Sequence, residues 1–107
     1  MRVYHQALEM NRQLAKVAER MERNDRDLVR QLRRAASSVA LNIAEGLGSQ
    51  AGNRELRFQT ALGSAREVMA CLDVADAWGY LGAERDAIKR HVDRVNAMLF
   101  KLVRARR

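Results

Sequence analysis

Residues 42–55 read NIAEGLGSQAGNRE, and the reading of this stretch decides the fold. Gly46, Gly48 and Ala51 spell G-x-G-x-x-A, the pattern of a turn that cradles a dinucleotide pyrophosphate. Such a turn needs a strand before its first glycine and a βαβ unit around it. Here residues 35–45, AASSVALNIAE, come first, and they read as helix. Leu28, Leu32, Ala35, Val39 and Ile43 recur at steps of three and four, a single apolar stripe. The glycines therefore read as the place where one helix stops and the chain reverses. No cofactor is expected there.

Working outward, the segment before the glycines runs as a helix from about Asp25 to Glu45. Asn24 or Asp25 can cap it. Upstream, Val3, Ala7, Met10, Leu14, Val17 and Met21 mark a helix from about Tyr4 to Arg20. Downstream, a third helix is expected from Asn53, as its cap, to Trp78. Phe58, Leu62, Ala65, Met69 and Leu72 line it, and Ala61, Val68 and Ala75 widen that face. Its stretch VMACL, residues 68–72, carries no charge. A helix apolar over so much of its girth is buried on more than one side: in a bundle of four helices the extra side points to a subunit interface and a homo-oligomer larger than a dimer, with a wide core inside one chain as the alternative. Gly79 suits a left-handed helix end. A fourth helix follows from about Ala83 to Arg104, with Ile88, Val92, Val95, Leu99 and Leu102 as its seam. Four helices on short loops predict an all-α fold, an up-down-up-down antiparallel four-helix bundle, with residues 1–107 as a single domain.

Composition agrees with this. The chain of 107 residues has no proline and one cysteine, Cys71, so no internal disulfide can form. It carries no apolar run near membrane-spanning length and no signal-peptide pattern, so a cytoplasmic protein is expected. The net charge of +7 is uneven. Residues 1–34 hold nine basic and five acidic side chains, residues 35–83 three and five, and residues 84–107 eight and three. Basic ends predict an anionic partner. The candidate phosphate-binding residues are Arg26, Arg30, Arg33 and Arg34 on the second helix, with Arg90, Arg94, Lys101 and Arg104 on the fourth. Seventeen of the twenty basic residues are arginine, which suits phosphate. Aromatics make up only 5% of the chain, so binding is expected to run through the nucleic-acid backbone and to tolerate sequence.

Ser38, Asn42 and Glu45 share one face of the second helix, at i, i+4 and i+7, and Ser64 and Glu67 share a face of the third. We read these five as a structural polar network between the two helices, with Gly63 allowing close approach. A carboxylate metal site in such a bundle needs Glu-x-x-His pairs. His5 and His91 follow no Glu by three, and each reads as solvated. Cys71 reads as a buried thiol. No catalytic triad or Walker pattern is present, so no enzyme, metal or cofactor is expected.

The runs RRAASSVALNIAEGLGS, FQTALGSAREV and WGYL resemble the four-helix-bundle proteins encoded in intervening sequences of bacterial large-subunit ribosomal RNA genes. The accessory protein of diversity-generating retroelements looks like a relative. The resemblance covers nearly the whole chain and is most specific at residues 42–46, and at residues 61–64 with Glu67. It implies a ring, usually a homopentamer. For some members it implies nucleic-acid binding and contact with a reverse transcriptase. Leu41 departs from the small residue usual there, and Ser49 from an arginine.

Overall fold

The structure is a computed structural model and describes residues 2–105. It has four helices: α1 Arg2–Met21, α2 Arg26–Leu47, α3 Ala51–Ala77 and α4 Arg85–Ala105. Each helix packs on its chain neighbour, and α1 closes against α4. The result is the expected antiparallel bundle, with α2 and α4 at opposite corners. At a rise of about 1.5 Å per residue, α3 alone spans nearly the whole long axis, which measures 42 Å.

The apolar stripes meet in one core. Phe58, Met10, Met21, Leu32, Ile43, Leu72 and Leu99 are its largest fully buried side chains. Each adds about 1.5–3 kcal/mol over the exposed state. The α1–α2 corner is built around Asp25. Its backbone is extended, and its Oδ1 accepts from the Leu28 N–H at 3.0 Å. At the far end of α3, Gly79 is the only described residue with positive φ, at 77°. Tyr80 N–H donates to the Ala75 carbonyl and Gly79 N–H to that of Asp76, the paired bonds of a Schellman end.

Several expectations are corrected. Helix α2 runs through Gly46 to Leu47, so the first glycine lies inside a helix. Gly48 caps the helix at φ −91°, so the reversal needs no left-handed glycine. Helix α3 begins at Ala51, after Gln50, which makes no side-chain cap. Asn53 caps nothing; its Nδ2 donates to Ser49 Oγ at 3.2 Å. The uncharged stretch in α3 is largely used inside the protomer. Val68, Cys71 and Leu72 are buried because α3 is gripped on two sides, by α2 and α4. His91 is buried as well, at 6% exposure, with Nε2 3.4 Å from the Gln6 carbonyl oxygen. It lies one turn on from Ile88, where the buried face of α4 turns toward α1.

Candidate functional site

Three features of the surface are candidates: the polar seam between α2 and α3, the arginines of α2 and α4, and a groove between α3 and α4. Of the five residues of the expected seam, Ser38, Asn42 and Ser64 meet through hydrogen bonds, and Arg57 joins them. Ser38 Oγ and Ser64 Oγ are 2.7 Å apart, and Asn42 Nδ2 donates to Ser38 Oγ at 3.0 Å and to its carbonyl at 2.9 Å. Arg57 comes across from α3: its Nη1 donates to Asn42 Oδ1 at 3.4 Å, and its Nε lies 3.1 Å from Glu45 Oε2 as an ion pair. That Nε is angled out of hydrogen-bond geometry. Glu45 itself is exposed at the edge of the seam, and Glu67 lies outside it, exposed on the flank of α3. From Ser64 to Glu67 the helix turns about 60° short of a full turn, enough to carry the carboxylate off the α2 side. The Cys71 thiol, one turn along, is pushed up by its burial and then by the Glu67 charge, so the nucleophilic thiolate is disfavoured.

Arg54 is a further residue that the sequence reading missed. Its Nε donates to the Gly46 carbonyl at 3.0 Å and its Nη2 to that of Leu47 at 3.3 Å, closing the end of α2. The signal was present, since a cation belongs near a helix C-terminus. It comes from the following helix, though, and not from the last turn of α2. Above it, the Phe58 ring sits on Gly46, where a Cβ would come within 2.6 Å of the ring. Gly63 behaves oppositely: no atom of another helix lies within 4 Å of where its Cβ would be, so it mediates no close approach within the protomer.

The arginines fall into two separate groups, because α2 and α4 are diagonal. Arg26, Arg30 and Arg33 surround a polar hollow with Glu22. Arg30 pairs with Asp27 at 3.2 Å, and Arg33 with Glu22 at 3.5 Å. Arg26, Arg34, Arg90, Arg94, Lys101 and Arg104 are exposed and make no ion pair among the described residues. The basic residues at the start of α4 differ. Arg85 and Lys89 hold Asp76 at 2.8 and 2.9 Å, and their hydrogen bonds keep its carboxyl below the usual range.

The groove between α3 and α4 has two adjoining hollows of about 450 and 350 Å³. Leu62, Arg66 and Phe100 line both. Phe100 is 48% exposed, and the other large exposed apolar side chains among the described residues are Leu41, Leu56, Val74 and Trp78. Trp78, exposed at 71%, stacks on Tyr80 at the tip of the bundle. No described helix is long and apolar enough to cross a membrane.

These features define a basic, all-α, up-down-up-down bundle whose second and third helices share a polar seam. The chain belongs to the family of 23S rRNA-intervening sequence proteins, whose family model matches residues 1–101. It is similar in structure to a protein of unknown function from the S23 ribosomal protein family of Bacteroides thetaiotaomicron VPI-5482. The TM-score is 0.86 at 19% identity, over 94% of this chain and 97% of that one. That likeness concerns the fold. No curated protein matches the chain.

Proposed function

We propose that this chain is a non-enzymatic, cytoplasmic homo-oligomer that binds nucleic-acid phosphates through arginine-rich surfaces, as an accessory module of a ribonucleoprotein. One observation carries the reading: Arg26, Arg90, Arg94 and Lys101, four of its eight candidate cations, are exposed without an ion-pair partner among the described residues. Cations left free in this way are ready for phosphate oxygens. Arg90, Arg94 and Lys101 form one outward stripe on α4, spaced i, i+4 and i+11. Repeated around a ring, the stripe gains affinity through multivalency without new contacts.

The test is fluorescence anisotropy with mixed-sequence RNA and DNA across a salt series. Both are expected to bind, and neutralising one phosphate-bound cation should flatten the log-log salt slope by about 0.7 to 0.9. Arg90→Gln, Arg94→Gln and Lys101→Gln together should flatten it and leave the assembled mass unchanged. Failure of the parent protein to bind either nucleic acid at about 50 mM salt overturns this reading. The second reading, an interaction protein without nucleic acid, is favoured by the exposed Leu41, Leu56, Val74, Trp78 and Phe100, and it would then take over.

A further inference from the structure

We propose that the outer stripe of α2 seats in the α3–α4 groove of a second copy of this chain, with the two bundles side by side and parallel. Three pairs define the contact: Arg34 with Asp93 of the partner subunit, Leu41 with Phe100 of the partner subunit, and Glu45 with Arg104 of the partner subunit. This deepens the homo-oligomer reading above and rests on it.

The two stripes match in spacing and in sign. Arg34, Leu41 and Glu45 stand at i, i+7 and i+11 on α2 and share one outward line. Asp93, Phe100 and Arg104 stand at the same intervals on α4, along the groove. Read in chain direction, α2 presents positive, apolar, negative, and the groove presents negative, apolar, positive. A parallel meeting opposes unlike charges at both ends. An antiparallel meeting sets Arg34 against Arg104 and Glu45 against Asp93, like against like. Arg34, Asp93 and Arg104 have no ion-pair partner within the described protomer, and Glu45 has only the rim contact with Arg57.

The fold also sets the heights. Ser38 touches Ser64 across the α2–α3 seam, and Asn96 donates to the Ala65 carbonyl across the α3–α4 seam. Residues 38 and 96 therefore lie at about the same level, and so do Leu41 and Phe100 a turn further along each parallel helix. Two copies need no shift along the bundle axis to bring the pairs opposite. A contact between two different surfaces, made without translation, has no rise per copy to build a helical filament, and it forms a ring where the rotation between copies closes.

Two oddities of the isolated protomer then find a use. Leu41 is 66% exposed, and Gly63 leaves open space beside Phe100 at the same level. A glycine in a helix interior weakens the helix, and nothing in the protomer requires this one. The hollow beside it has room for the leucine. The same register sets exposed Ser37 opposite Asn96, whose Oδ1 is buried with no described partner.

The experiment is light scattering of the full chain at micromolar concentration, with circular dichroism to confirm that each variant is helical. The parent should show a multiple of 12.2 kDa. Leu41→Arg and Gly63→Leu should each fall toward the single-chain mass with helicity intact, since both positions face open space. Arg34→Asp should weaken assembly, and Arg34→Asp with Asp93→Arg should restore it. If the parent assembles but Leu41→Arg and Gly63→Leu leave its mass unmoved, this interface is wrong and the homo-oligomer reading stands. If the charge swap restores nothing, the register is wrong. A parent of single-chain mass overturns both the interface and the homo-oligomer.

Discussion

Gly46 and Gly63 both lie inside helices, yet their surroundings give opposite outcomes on substitution. At Gly46 an added methyl would press on the Phe58 ring, and that ring is fully buried. Gly46→Ala should cost about 1–3 kcal/mol in urea unfolding, the range for overpacking. An unchanged midpoint would show that the ring can slide away. The polar seam is likewise decided residue by residue. Its strongest member is the half-buried Ser38–Ser64 contact, so Ser38→Ala should lose about 1 kcal/mol. The sequence pattern gives Glu45 equal weight, but the structure does not. Its side chain is 61% exposed, and an exposed ion pair of this kind is worth about 0–1 kcal/mol. Glu45→Ala should therefore scarcely move the stability of the protomer, which thermal unfolding of a dissociated variant such as Leu41→Arg can check.

At the scale of elements, stability is set at helix ends and corners. Asp25 holds the start of α2 through one side-chain bond, and Asp25→Ala should cost about 1 kcal/mol. The α3–α4 corner carries the pH dependence. Hydrogen bonds from Arg85 and then Lys89 hold the Asp76 carboxyl below its ordinary range. A depressed folded pKa stabilises the fold above the unfolded value, near pH 4, and the gain is lost as pH falls through the folded value. Asp76→Asn should thus be less stable than the parent at neutral pH, and the gap should close below about pH 4. An acid titration followed by circular dichroism reads this directly. A gap that persists at low pH would mean that Asp76 acts through packing and not through its charge.

For the whole molecule the question is assembly. If folded chains associate while unfolded chains do not, mass action makes Tm rise with protein concentration. Dilution should lower Tm for the parent and leave Leu41→Arg unmoved. The sequence by itself determined four helices, their approximate ends, the left-handed end at Gly79, and a cap for α2 at Asn24 or Asp25, between which the structure chose Asp25. It could do so because helical spacing and cap bonds depend on residues within a turn or two of one another. It also ruled against the dinucleotide turn, since residues 35–45 read as helix and not as strand. Other features only the tertiary structure decided. It brought Arg57 to Asn42, Phe58 onto Gly46 and Gln6 to His91, and it left Glu67 outside the seam. It separated the two arginine groups to opposite corners, and it set the α2 stripe and the α3–α4 groove at one height. Each of these depends on how far one helix is slid and rotated against another. Spacing within a single helix carries no record of that, because the slide and rotation are set by side chains meeting from segments far apart in the chain.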